Sequence, residues 1–330
     1  MEKKLKIRLA IESDKDKVLD LLNSVFEKQQ RSQNTRDELY WNWKFRNSVF
    51  GPSILTVADD GGKIVGVDHL WPWELCFKGE ILKAVQPCDA AVHEDYRGQG
   101  LFKQMRKFGL DVAVSRGFQM VFNFPNENSL PGNRSTGATY LGKITWWVRI
   151  LKPVHLALDK LFHLKAEKFT LPEEYQIDCE FLDQLAQRVS GEVNLIQIHR
   201  KAGFHQWRYK NHPSRQYGMT VVRVGLKQMA LIFTVEQHGA RLEMVVVDVV
   251  GDECPKKNLI QAVVQTAKRL DVDFVALMSN KLFGLERLWT HGFIKKSLKN
   301  MVVLPLGLGN HGKFCSFENW SMVAGLHDSI

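Results

Sequence analysis

Apolar positions along the chain follow two alternating periods. Lys6 to Ala10 alternates apolar and basic residues and reads as a first strand. Val18, Leu21, Leu22, Val25 and Phe26 then recur at helical spacing, behind Ser13 and Asp16 as an N-terminal cap pair. Ile54 to Ala58 and Lys63 to Trp71 read as strands joined by the tight turn Asp59-Asp60-Gly61-Gly62. Trp73 to Lys78 and Ile81 to Val92 pair across Gly79-Glu80. Leu101, Met105, Phe108 and Val112 form the stripe of a helix that Gly117 closes. Phe118 to Phe124 and Tyr140 to Ile150 complete the series as strands.

The order then repeats. A segment 153–175, with helical spacing at Leu156, Leu161 and Phe162, reads as a linker. Trp207-Arg208-Tyr209-Lys210-Asn211 echoes Trp43-Lys44-Phe45-Arg46-Asn47 in residue type, position by position. The stretch around Trp43 is read as a packed helix end and not as a wall of a substrate cleft, because large aromatics mostly serve cores. Strands are predicted at Met219 to Val224, Met229 to Gln237 and Leu242 to Val250. A helix over Lys257 to Leu270 follows, then a strand at Phe274 to Met278. The pattern predicts a mixed α/β (α+β) chain of two similar units, 1–152 and 176–305, each a largely antiparallel sheet flanked by helices. The tail, 306–330, is too apolar to float and is expected to dock on the body.

Chemistry concentrates where the strand ending in Ala91-Val92 turns through Arg97-Gly98-Gln99-Gly100 into the helix starting Leu101-Phe102. The first N–H groups of a helix lack intrahelical partners and sit at the positive end of its dipole. Two glycines let a phosphate approach the main chain, and Arg97 adds a fixed charge. The expected ligand is a pyrophosphate. A P-loop would need Lys-Ser/Thr after the last glycine; a dinucleotide fold would need a third glycine at the position of Lys103.

The segment Ala91-Val92-His93-Glu94-Asp95-Tyr96-Arg97-Gly98-Gln99-Gly100-Leu101 resembles the Arg-x-x-Gly-x-Gly/Ala signature of the GNAT acetyltransferases. Phe102 departs from it, standing where the family usually has Gly or Ala. The resemblance implies two GNAT-like domains, with acetyl-CoA or coenzyme A as cosubstrate held along Ala91, Val92, Arg97, Gly98, Gln99, Gly100, Leu101 and Phe102. It also implies that Asn126 and Ser129, in Asn-Glu-Asn-Ser, contact the pantetheine arm. In the second unit Leu285 to Phe293 resembles the family's helix ending in Gly-Phe, but Gly251-Asp252-Glu253-Cys254-Pro255 stands at the place of the elbow. Two acids there would repel phosphates, so that copy reads as degenerate.

In the family, a free amine attacks the thioester directly. The tyrosine that often serves as general acid has no counterpart between Leu130 and Ser135. Two proton acceptors are weighed. Asp89, the one carboxylate in the motif strand, reads equally as a base or as a strand acid bonded to an arginine. The carboxylate of Ile330 is the alternative, because some tandem relatives bring a chain end into the cleft.

Composition narrows the rest. The 330 residues, 45% hydrophobic and 25% charged, suit two ordinary globular units. A formal charge of +9 favours an anionic ligand. Five scattered cysteines show no metal spacing, so reduced thiols, no metal and a cytoplasmic setting are expected. No stretch reads as a membrane span, so no membrane is expected as a partner. The acceptor is expected to be a small-molecule or peptide amine. Rival readings are an aminoacyl-tRNA-dependent transferase, the only one to require nucleic acid, and a non-catalytic acyl-CoA-binding protein.

Overall fold

The computed structural model describes residues 5–28, 36–188, 194–307 and 312–327. The chain runs β1 (Lys6–Leu9), α1 (Lys15–Lys28), α2 (Glu38–Trp41), β2 (Ile54–Asp60), β3 (Lys63–Phe77), β4 (Glu80–Val92), α3 (Leu101–Ser115), β5 (Met120–Asn123), α4 (Leu130–Ser135) and β6 (Thr139–Ile150). It continues through α5 (Pro153–Phe162), α6 (Cys179–Arg188), β7 (Gln197–Ile198), β8 (Tyr217–Val224), β9 (Lys227–His238), β10 (Arg241–Gly251), α7 (Lys256–Arg269), β11 (Phe274–Met278) and β12 (Ile294–Pro305).

These strands do not make two separate sheets. They form one, in the order β1-β2-β3-β4-β5-β12-β6-β11-β10-β9-β8, with β7 on β3. The last strand of the second half lies between β5 and β6 of the first, pairing Val303 with Phe122 on one side and with Thr139 on the other. Strand β6 in turn pairs with β11, Ile150 opposite Phe274. The boundary at 152 is therefore a boundary in sequence and not in the sheet.

Helices cover both faces. Helix α1 packs Val18, Leu22 and Val25 on Leu55, Val57 and Val67. The opposite face takes α3, where Ala113 meets Ile54, Leu70 and Val85. Close approach of α3 depends on two glycines: a Cβ on Gly66 would lie 2.8 Å from Met105, and one on Gly109 3.1 Å from Thr56 Oγ1. Arg106, forked on Asp68 at 2.7 and 2.6 Å, ties α3 to β3.

Two five-residue π-helical turns, Asn42–Arg46 and Gln206–Lys210, carry the repeated aromatic stretches. They meet face to face. The indole N–H of Trp43 donates to the Trp207 carbonyl at 2.8 Å, and that of Trp207 to the Trp43 carbonyl at 2.9 Å. The two rings stack 6.0 Å apart. Around this pair, one core joins Trp71 and Trp73 of β3 to Leu182 of α6, Phe122 of β5 and Trp320 of the tail.

Two local expectations fail. Asp14, not Ser13, closes the turn before α1: its carboxylate accepts the Ile11 N–H at 2.8 Å while also holding Arg8. Residues 285–293 form only a 3₁₀ turn, Trp289–His291. The carbonyl of Leu285 accepts the Asn280 N–H at 3.3 Å, which takes up the first acceptor a helix starting there would use.

Candidate active site

The anion elbow has the geometry its residues suggest. Gly98 and Gly100 have φ of +77° and +72°, a region that side chains rarely adopt, and a Cβ on either would meet nothing within 4 Å. Gly100 is the N-cap of the fifteen-residue α3, and no side chain caps it. Arg97, exposed, donates through Nε to the Val92 carbonyl at 3.1 Å, which anchors the guanidinium beside the elbow. Gln99 reaches back to the Asp95 carbonyl at 3.3 Å. Leu101 is buried under the helix, whereas Phe102 is exposed with Arg106 over its ring. Open space, aligned N–H groups and a cation together suit a phosphate.

Behind the elbow the sheet opens. Strands β4 and β5 pair in parallel only at Ala84–Met120 and Val85–Val121, and beyond Val85 they part. Ala91 and Val92 lie on one arm of this opening. Asn126 and Ser129, both exposed, follow the other arm, where the Asn126 carboxamide oxygen accepts the Ser129 N–H at 2.9 Å. A bulge sits on the β4 arm: Ala91 pairs with Val67 and Cys88 with His69, so Asp89 and Ala90 share one partner, Asp68. Asp89 has φ +42°, a strain that aspartate tolerates better than most residues.

The Asp89 side chain points into a buried cluster. Arg36 donates to Oδ1 at 3.1 and 3.0 Å, the Tyr40 hydroxyl to Oδ2 at 2.8 Å, and Lys44 Nζ lies 2.7 Å from Oδ2. Sequence reasoning missed all three partners. The available signal was a lysine set among aromatics at Trp43-Lys44-Phe45, a place where a charge needs a buried counter-charge. His69, fully buried, completes the cluster. Its Nε2 is 2.8 Å from Ser53 Oγ, which itself donates to the Lys44 carbonyl at 3.1 Å. The ring proton therefore sits on Nε2, leaving Nδ1 to accept from Cys88 Sγ at 3.0 Å. His69, Cys88 and Asp89 each place one ligand atom within 4.8 Å of the others. A divalent cation there would face Lys44 and Arg36.

This setting does not suit a proton acceptor. Burial alone would raise the Asp89 pKa, but the charges of Lys44 and Arg36 outweigh it and hold the carboxyl well below its usual 3.8. Such a carboxylate binds protons weakly, and its oxygens are already occupied. Of the two sequence readings, the geometry matches the strand acid bonded to an arginine. Ile330, the other candidate, lies outside the described residues.

A stability prediction follows from the cluster. Asp89→Asn leaves Lys44 and Arg36 buried without their counter-charge and should cost about 3–5 kcal/mol, read as a fall in denaturation midpoint. Because the folded pKa is depressed, the contribution of Asp89 is present above 3.8 and is lost as pH falls below it. His69, depressed from 6.5 chiefly by burial, adds an earlier loss as pH falls through that value. An unchanged midpoint at pH 7, or equal acid sensitivity of wild type and variant below pH 3.8, would contradict this.

The second half has a matching cluster with a different elbow. Asp248 on β10 accepts from Arg200 at 3.0 and 2.6 Å and from the Tyr209 hydroxyl at 2.8 Å. Arg200 stands eight residues before Arg208, as Arg36 stands eight before Lys44. The elbow, however, is closed: a Cβ on Gly251 would lie 2.5 Å from the Gln228 carbonyl oxygen. Asp252 accepts the Gln228 N–H at 2.8 Å, placing an acid before α7. Strands β10 and β11 also part, after Val246–Leu277, and here the tail crosses. Asn280 holds the Met322 carbonyl at 2.8 Å, Arg208 those of Gly325 and His327 at 3.2 and 3.1 Å. A Cβ on Gly325 would lie 2.6 Å from the Tyr209 hydroxyl and 3.2 Å from the Val247 carbonyl oxygen. The tail then passes to the first half, where Gln86 of β4 donates to the Leu326 carbonyl at 3.0 Å and His327 stacks on Phe124.

Residues 6–140 match the family model for the acetyltransferase (GNAT) domain. No curated protein matches the chain in sequence. Among solved structures, a GCN5-related N-acetyltransferase from Anabaena variabilis superposes with a TM-score of 0.62 at 14% identity, over 91% of this chain and 72% of that one. A probable N-acyltransferase from Enterococcus faecalis gives 0.61 at 10% identity, with the same two coverages, 91% and 72%. Saccharomyces cerevisiae N-myristoyltransferase, with bound myristoyl-CoA, gives 0.54 at 11% identity, over 92% and 83%. The match places a GNAT acetyltransferase domain over residues 6–140 of this chain, with the open elbow inside it.

Proposed function

We propose that the chain transfers an acyl group, acetyl in the simplest case, from coenzyme A to a primary amine, using the first half alone as the cofactor site. The observation that carries this reading is the open, glycine-lined N-terminus of α3 beside the β4–β5 opening. Arg97, Gly98, Gln99 and Gly100 would hold the pyrophosphate, Leu101 and Phe102 the first helical turn over it, and Ala91 and Val92 the pantetheine along β4. Asn126 and Ser129 flank its far side.

The protein's tasks are then proximity and carbonyl polarisation. Main-chain N–H groups of the bulged strand suit the thioester oxygen, because a bulge interrupts the ladder that would otherwise consume them. Asp89 acts as a positioning residue, fixing Arg36, Tyr40 and Lys44 at the rim of that strand.

The second half reads as a degenerate copy, its elbow shut by β9 and its opening crossed by the tail. Amine-dependent release of the coenzyme A thiol from acetyl-CoA, over a panel of small and peptide amines, tests the function. Thiol release that no amine accelerates, from protein that still binds acetyl-CoA, would favour the non-catalytic alternative.

A further inference from the structure

Helix α5 is built inside out. Two of its polar residues face the body: Asp159 is buried against Arg241 at 2.7 Å, and His155 reaches Asp273 at 2.5 Å. Its apolar residues face solvent. Val154, Leu161 and Phe162 are 70%, 70% and 68% exposed, and Leu158 is also exposed. Positions 154, 158, 161 and 162 fall at i, i+4, i+7 and i+8, so they form one stripe along the outer side. A helix that buries Asp159 while Val154, Leu158, Leu161 and Phe162 face outward has an apolar stripe turned to something other than water.

Three further exposed apolar side chains stand on the strand ends and the turn next to α5 in the fold. Ile150, three residues before α5, and Ile294, at the start of β12 beside β6, are both exposed. Trp289 is 67% exposed in the turn whose His291 carbonyl accepts from Arg149 at 2.9 Å. These seven residues are more than half of the thirteen large apolar side chains exposed among the described residues.

We propose that this face docks peripherally on an anionic lipid surface. Charge decides the occupant. Lys160, Lys165 and Lys168 are exposed within or just after the helix, and Lys295 beside Ile294 is exposed too. Of the nearby acids, Asp159 is spent on Arg241, Asp273 on His155 and Asp271 on Lys152, which leaves Glu167 as an exposed acid in that segment. A second copy in a twofold dimer would bring the same patch against itself, lysines facing lysines. An anionic bilayer instead accepts Leu, Phe and Trp at its interface and gains from each lysine near it. No helix among the described residues is long and apolar enough to cross a membrane, so the contact is with the surface.

The test is sedimentation of the full chain with vesicles of phosphatidylcholine alone or with about one third phosphatidylserine. Binding should require phosphatidylserine, weaken as salt rises, and fall at least about tenfold in L161D/F162D. Those two side chains are exposed, so the variant should keep the wild-type melting profile and acetyl-CoA titration, which separates this question from the cofactor reading. Absence of binding at low salt would overturn the proposal. So would a concentration-dependent dimer that L161D/F162D abolishes, because it would assign the face to a second copy.

Discussion

Gly100→Glu should lower affinity for acetyl-CoA by about a hundredfold or more. At φ +72° a side-chain-bearing residue is strained by roughly 1–2 kcal/mol, so the elbow would distort to relieve it. The new carboxylate would stand at the N-cap of α3, where the phosphates are expected, adding on the order of 1 kcal/mol of repulsion per close charge even in water. Nothing packs against Gly100, so the fold itself should survive. Gln104→Glu, an exposed change one turn further along α3, is the control and should bind within a few-fold of wild type. Titration calorimetry should show one equivalent per chain for wild type. Two equivalents would contradict the closed second elbow, and undiminished binding by G100E would place the cofactor elsewhere.

Residues 1–152 expressed alone should fail to fold into a stable, soluble unit. Strand β5 has β12 as its antiparallel partner, and β6 lies between β12 and β11; both partners come from the second half. The fragment would leave β6 without a neighbour and expose a long edge. It would also strip Trp43 of the ring and carbonyl of Trp207, and Trp71 and Trp73 of much of their cover. Each large aromatic so exposed costs about 1.5–3 kcal/mol, which together approaches the whole stability of an ordinary domain. Circular dichroism and gel filtration check this. A monomeric fragment with a cooperative melt like that of the full chain would refute it.

How much was legible in the sequence follows physical range. The elbow at Arg97-Gly98-Gln99-Gly100 was readable because glycine conformation, a helix start and a strand end are local. So was the echo between the two aromatic stretches. The sheet order was not, because Val303 pairs with Phe122 across 181 positions and no periodicity encodes which edge a strand joins. Asp89 was found, but its role turned on Arg36, Tyr40 and Lys44, some fifty residues away in sequence. Helix α5 was expected as linker from its spacing at Leu156, Leu161 and Phe162. Spacing alone does not say that the stripe faces outward; that needed Arg241 and Asp273 as the inward partners.

Acyl transfer through the first half is the central claim, and amine-dependent thiol release from acetyl-CoA tests it most directly. Wild type should release coenzyme A faster with at least one amine of the panel, yielding the matching N-acetyl product by mass, and G100E should not. Release by G100E at the wild-type rate, or wild-type protein that neither binds acetyl-CoA nor acetylates any amine, would contradict it.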